Sequence, residues 1–273
     1  MSNEVYPVKE HYDINDLLEI MKILRGEHGC DWDKEQDHHS IRMNVLEEAY
    51  EVMEAIDSED KDLLKEELGD LLLQVVFHSQ IENEADSFAF NDVCDGICKK
   101  LIYRHPHVFG DIKVENSAEV LKNWDMLKSK SKGEEKASQR LESVPKLLPA
   151  LMRGEKVGKR AGNAGFDFAD KQQVLDSLKS EVAELEAAIN GGDSDKIKEE
   201  LGDVLFSCCN LSRFLKQDGE EALTMAINKF IARFKTVEEL AEKSGRTIEQ
   251  MNEAELNELW KEAKRNRSFY EIR

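Results

Sequence analysis

The sequence is short of the residues that interrupt helices and staple small domains. Its 273 residues include four prolines, five tyrosines and five cysteines. So little proline leaves long helices uninterrupted. The cysteines are Cys30, Cys94, Cys98, Cys208 and Cys209. They are odd in number and contain no Cys-x-x-Cys pair, so neither a disulfide framework nor a thiolate zinc site is supported, and a reducing cytoplasm is the expected setting. Cys208 and Cys209 lie in an apolar run and read as small core residues. No apolar run approaches the ~20 residues that span a bilayer, and the opening MSNEVYPVKEHYDIND has no apolar secretion-signal core. Positive charge is also in deficit. Lys and Arg number 38 against 57 Asp and Glu, for a net charge of −19. Such a surface repels nucleic-acid backbones and anionic membranes, so neither is expected as a partner.

What remains is helix-forming. Hydrophobic residues make up 40% and charged residues 35%, with long stretches rich in Glu, Lys, Leu and Ala, which predicts an all-α protein. Helical periodicity runs from about Ile14 to Leu24 and ends in the loop RGEHGCDWDKEQDHHS. It resumes near Ile41, where Val45, Leu46, Ala49, Val52, Met53 and Ile56 are spaced for one buried helical stripe. A third helix is expected through LLKEELGDLLLQVVFHSQIEN, and a fourth from a cap at Asn91 to near Pro106. SKSKGEEKASQRLES, from Ser129 to Ser143, reads as a linker. Beyond it come the glycine-bearing loop AGNAGFDF and helices near Lys171–Ile189, Glu220–Lys243 and Glu253–Arg265, with another through the second KEELGD. The expected division is residues 1–128, a linker over 129–144, and 145–273.

The chain writes one phrase twice: KEELGDLLLQVVF from Lys65 and KEELGDVLFSCCN from Lys198. Glu48, Glu51, Glu67 and Asp70 fall on Glu181, Glu184, Glu200 and Asp203 at one constant offset. Lys100 and Arg104 fall on Lys229 and Arg233 after a short deletion. This is an internal duplication, and two tandem helical domains explain it more simply than a solenoid.

Glu48 and Glu51 share a helix face, as do Glu67 and Asp70 on the next helix. Joined by a short turn, the two helices bring four carboxylates together. An acidic pair alone is a solvated helix face. Two pairs on successive helices, repeated, call for a divalent cation, because the charges otherwise repel. All-oxygen ligation suits Mg²⁺, with Mn²⁺ as the alternative, and argues against zinc. A ferritin-like di-iron bundle needs Glu-x-x-His, and here the second pairs are Glu-x-x-Asp. Gly69 and Gly202, inside their helices, cost ~1 kcal/mol each relative to Ala, which predicts close approach of a helix or ligand there. His105 and His107, flanking Pro106, read as cap or packing residues. Trp32 and Phe168 occupy similar places before their helices and are expected to pack. Trp260 is open between base stacking and packing.

EEAYE (Glu47 to Glu51), EELGD (Glu66 to Asp70) and RHPHVFGD (Arg104 to Asp111) resemble the MazG family. So do LPALMRGEKVGKRAGNAGFDF between the halves and LNELWKEAKR near the end. The resemblance covers nearly the whole chain. It implies an all-α nucleoside triphosphate pyrophosphohydrolase of two MazG-type domains in four-helix-bundle-like units completed by dimerisation. It implies a homodimer that uses Mg²⁺ to cleave NTPs to NMP and pyrophosphate, in nucleotide-pool clearing or stress. The family's metal ligands carry over to Glu181, Glu184, Glu200 and Asp203, and its nucleotide contacts to Lys196, Glu199, Lys229, Arg233 and Trp260. Glu184 or Glu199 would hold or deprotonate the attacking water. Glu48, Glu51, Glu67 and Asp70 make a second metal set in the first domain. One departure stands out: Ser180 replaces the first Glu of the family's EExxE. By motif count the first half is fuller, yet the resemblance places the nucleotide site in the second, where a helix ending in Trp260, Lys261, Lys264 and Arg265 follows. Rival readings are a non-catalytic helical oligomer and a regulator that binds nucleotide without turnover.

Overall fold

The computed structural model describes residues 6–131, 133 and 136–265. Among them every regular element is a helix, as the composition predicts. Contacts divide the chain between Trp124 and Asp125 into two units. The first holds α1 (Ile14–Arg25), α2 (Asp31–Glu35), α3 (Asn44–Asp57), α4 (Lys61–Glu84), α5 (Phe90–Arg104) and α6 (Pro106–Phe109). α7 (Ser117–Ser131) runs through the division. The second unit holds α8 (Ala137–Glu142), α9 (Ala150–Asn163), α10 (Lys171–Gly191), α11 (Ser194–Leu215), α12 (Gly219–Lys243), a 3₁₀ turn at Ile248–Gln250 and α13 (Glu253–Arg265). No helix of the described residues is long and apolar enough to cross a membrane.

The duplicated phrase builds the same hairpin twice, α3–α4 and α10–α11. Each second helix is capped by an aspartate. Asp60 accepts from the amides of Asp62 and Leu63 at 3.0 and 3.1 Å, and Asp193 from those of Asp195 and Lys196 at 3.0 and 3.3 Å. These caps satisfy amides that have no partner within the helix. The residue before each cap turns left-handed: Gly192 at φ 72° and Glu59 at φ 56°. A side chain resists that conformation by ~1–2 kcal/mol, and glycine gives back part of the gain through chain entropy. Glu59→Gly is therefore expected to stabilise the first hairpin by about 0.5–1 kcal/mol, read as a higher urea midpoint at unchanged slope.

The first unit packs Met21, Ile41, Val76 and Phe77 into a core flanked by Leu17, Leu18, Leu73, Ile81 and Phe90. Arg25 crosses the edge of this core. Its guanidinium lies 5.2 Å from the Phe77 ring centroid and donates to both Glu84 oxygens, at 2.8 to 3.1 Å, and to the Gln36 carbonyl at 3.1 Å. That ties α1, α4 and the loop before α3 together. His38 in the same loop meets Glu82 of α4 at 2.7 Å.

In the second unit α9 lies close against α11. A Cβ on Gly154 would stand 2.8 Å from Cys209 Sγ, and one on Gly158 2.5 Å from Asn210 Oδ1. Cys209 is buried, as its apolar run predicts, and burial pushes its thiol pKa up. Arg213 of α11 grips Asp167 with two hydrogen bonds, at 2.7 and 3.0 Å, fixing the loop before α10.

Several expectations are corrected. The loop after α1 contains the single-turn α2. The fourth helix begins at Phe90, one residue before the expected cap, and Asp92 accepts the Ala89 amide at 2.9 Å. AGNAGFDF opens inside α9. Of the expected linker, residues 132, 134 and 135 lie outside the described residues. Its remainder includes the end of α7 and all of α8, and Arg160 of α9 donates to Ser143 Oγ at 2.7 Å. Val144 is buried. Trp32 does not pack: it is 56% exposed.

Candidate metal centre and nucleotide site

Each hairpin turns carboxylates toward one another. In the first, ligand oxygens of Glu48, Glu67 and Asp70 lie within 4.8 Å of one another; in the second, those of Glu181, Glu184 and Glu200 do. The membership differs by one residue: Glu51 stays outside the tight first triple and Asp203 outside the second. Both still act on their clusters. Desolvation first, then the charges of Glu184, Asp203 and Glu200, raise the pKa of Glu181. Desolvation and then Glu184, Asp203 and Glu199 raise that of Glu200, while Lys196 opposes the rise. Glu48 is raised by desolvation and then by Glu51, Asp70 and Glu67. Glu67 is raised by desolvation and then chiefly by Glu51 and Asp70.

Burial raises these carboxylates first, and like charges that nearby cations do not fully offset raise them further. The donor set fits a hard divalent cation, since it is all oxygen and converges without histidine or cysteine. The sign of the effect gives a test. Folded pKa values above the unfolded ones mean that the clusters destabilise the fold at neutral pH and that acidification through the raised range relieves this. The metal-free protein is therefore expected to melt at a higher temperature as pH falls from 7 toward 5, with a smaller rise in Glu181→Gln. Saturating Mg²⁺ at pH 7 should stabilise by about 2–3 kcal/mol at a hundred-fold excess over its Kd. Scanning calorimetry with and without the metal checks both.

Neighbouring side chains orient the carboxylates. Ser180, where the resemblance expects glutamate, donates to Glu184 Oε1 at 3.0 Å, so the hydroxyl serves as a positioner. In the first hairpin the amide of Gln74 reaches Glu48 Oε1 at 3.4 Å. Gln74 is 7% exposed. It went unnoticed in the sequence, where its signal was one amide inside the run LLLQVVF. Glu199 acts on Glu200 only through its charge and is not among the converging oxygens. The expected close approach at Gly69 and Gly202 is not met among the described residues: beyond its own helix backbone and chain neighbours, nothing lies within 4 Å of where a Cβ would stand at either position.

The remaining predicted nucleotide contacts sit on α12 and α13. Lys229 is exposed and Arg233, one turn on, is half-buried. Trp260 of α13 packs on Phe230, ring centroids 5.1 Å apart, with the Lys264 ammonium 5.8 Å from its centroid. Lys261 is paired with Glu258 at 2.7 Å, so it is less available than the sequence suggested. In the first unit the counterpart arginine, Arg104, is buried, its guanidinium 5.5 Å from the Trp124 centroid. His105 packs edge-on against the same ring at 4.7 Å and reaches the Leu101 carbonyl at 2.6 Å, a packing and cap role as predicted. Phe168 meets Phe214 edge-on at 6.0 Å, also as predicted.

Residues 36–109 and 169–239 each match the MazG nucleotide pyrophosphohydrolase domain, and these two segments contain both carboxylate hairpins. The chain belongs to the MazG family. A Thermotoga maritima protein named nucleoside triphosphate pyrophosphohydrolase/pyrophosphatase MazG is 44% identical over 249 residues, covering 91% of this chain and 94% of that one. An Escherichia coli K12 protein named nucleoside triphosphate pyrophosphohydrolase is 44% identical over 255 residues, covering 92% of this chain and 97% of that one. Each matched segment contains one carboxylate hairpin and runs on into the helices that follow it, so this MazG chain carries the family domain twice, as its duplicated KEELGD implied.

Proposed function

We propose that this MazG protein hydrolyses nucleoside triphosphates to the monophosphate and pyrophosphate, using Mg²⁺ held by the second-unit carboxylates. The observation that carries the reading is the converging triple of Glu181, Glu184 and Glu200, with Asp203 acting on it and the pKa values of Glu181 and Glu200 raised. Mg²⁺ supplies neutralisation of phosphate charge and an activated water at such a site. The protein's own groups do the rest. Glu181, Glu184, Glu200 and Asp203 hold the metal, with Ser180 fixing the rotamer of Glu184. Glu184 orients the water attacking between the α- and β-phosphates, with Glu199 as the alternative. Lys196, Lys229 and Arg233 supply charge-assisted hydrogen bonds to triphosphate oxygens. Trp260 offers a ring face to the base.

The working form is a homodimer. Val182, Leu201, Leu205, Leu223, Ile227 and Ile231 are about half exposed along the second-unit helices. Those on α11 and on α12 recur at helical spacing, as a bundle interface requires. A second copy covering these stripes also supplies the neighbour that Gly202 lacks within one chain. The role in the cell is clearing of the nucleotide pool or a stress response, in the cytoplasm. The test measures pyrophosphate release from a panel of NTPs, with and without Mg²⁺. Release that needs the metal is expected. Binding of nucleotide with no pyrophosphate from any NTP would establish the regulatory reading instead.

A further inference from the structure

α12 is anchored at its two ends and exposed between them. Its later turns bury Thr236, Val237 and Ala241, and Ala263 is buried on α13 beside it. Its first turn is held from α9, where Glu155 Oε1 accepts the Gly219 amide at 2.7 Å. From residue 221 to 231 every residue is exposed. Lys229 and Arg233 lie between one anchor and the other.

The two acceptors at the start of α12 do different work. Asp218 takes the Glu221 amide at 3.0 Å. It belongs to the chain entering the helix, so it satisfies an amide but fixes no direction. Glu155 comes from a different helix, and its bond fixes where α12 begins relative to α9. α9 is in turn locked to α11 by the close approach at Gly154 and Gly158. α11 carries Glu200. Beside the short turn 216–218 that joins α11 to α12, Glu155 thus adds a second link, through α9, from the carboxylate cluster to the helix of the two cations. It is also an expensive place for a carboxylate. Burial raises its pKa, the Gly219 amide opposes the rise, and the charges of Asp218 and Glu220 add to it. Asp218 takes the Glu221 amide, so the Gly219 amide is left to Glu155, and the bond it makes there joins two helices as well as capping one.

The geometry points to Glu155 as a positioning residue: by holding Gly219 it sets the direction of α12, and so where the Lys229 and Arg233 pair stands relative to Glu181, Glu184 and Glu200. The inference rests on the proposed role of that pair as the grip on the triphosphate. A grip made alike in the ground state and the transition state affects KM and spares kcat.

Glu155→Ala is expected to raise KM for the Mg²⁺–NTP about ten-fold, with kcat within about two-fold. Glu155→Gln keeps an acceptor oxygen at the same reach and should restore KM. A Cβ on Gly219 would stand 2.7 Å from Glu155 Oε1, so Gly219→Ala should displace the carboxylate and raise KM similarly. Once Glu155 is Ala, the nearest atom left to the added methyl is Ser212 Oγ at 3.2 Å, a contact relieved by a few tenths of an ångström, so the double variant should stay close to Glu155→Ala alone, where independent effects would add. Amide exchange in residues 219–231 should speed up in Glu155→Ala while α11 keeps its protection. Wild-type KM in both single variants, additive losses in the double, or equal loss of protection in α11 and α12 would overturn the proposal. Should the wild type release no pyrophosphate, the functional reading fails, and the exchange pattern still decides whether Glu155 holds α12.

Discussion

Glu184→Gln, Glu200→Gln and Asp203→Asn are each expected to cut pyrophosphate release by at least ~100-fold, while circular dichroism keeps its helical signature. The expected size follows from removing a ligand charge at a site whose remaining groups cannot replace it. Glu184, proposed to serve both metal and water, should cost most. The metal-free variants should also melt higher than wild type, because one of several repelling charges is gone. Glu51→Gln, assayed alongside, should stay near wild type. Both hairpins converge three oxygens, so the clusters themselves do not choose between the halves. The choice comes from what the following helices offer. The first unit spends Arg104 on Trp124, buried beneath a ring that His105 also covers. The second presents exposed Lys229, half-buried Arg233 and Trp260 on α12 and α13. Loss of activity in Glu51→Gln with none in Glu184→Gln would reverse the assignment of the two units.

Wild-type protein at micromolar concentration should sediment as a dimer, and Ile227→Asp should weaken association by at least ~30-fold. Ile227 is 50% exposed within one chain, and an aspartate there costs little in a monomer. Buried against a second copy, the same charge lacks a partner. Gly202→Ala separates the possibilities further. With open space around it, the added methyl raises helix propensity and should stabilise an isolated chain by ~1 kcal/mol. Against a closely packed partner it should weaken the dimer instead. A wild-type monomer in sedimentation, together with a stabilised Gly202→Ala, would show that nothing covers this face.

The structure also shows how much a single chain leaves undecided about its own sequence. The stripe through Val45, Leu46, Val52, Met53 and Ile56 was legible as one amphipathic face. Yet Val45, Leu46, Met53 and Ile56 are exposed within the chain, and only Ala55 of α3 is buried. Periodicity reports that a face must be covered; it does not report by what. The same holds for Gly69 and Gly202. Their helical cost was visible in the sequence, and the neighbour inferred from it is not among the described residues.

The sequence by itself determined the all-helical class, the duplication, the two carboxylate hairpins and the identity of the clustered carboxylates. Each depends on residues within a few positions of one another, or on a repeat readable as text. Two antiparallel helices joined by a turn of two or three residues leave little freedom in which faces meet. Only the tertiary structure decided which three oxygens of each four converge most closely, because that turns on rotamers held by Ser180 and Gln74. It alone placed Trp32 in solvent and Trp260 on Phe230, and it alone joined Glu155 to Gly219, 64 residues apart. Contacts of that separation follow from how α9 docks on α11, where the missing side chains of Gly154 and Gly158 let the backbones approach. No local pattern in the chain encodes that approach.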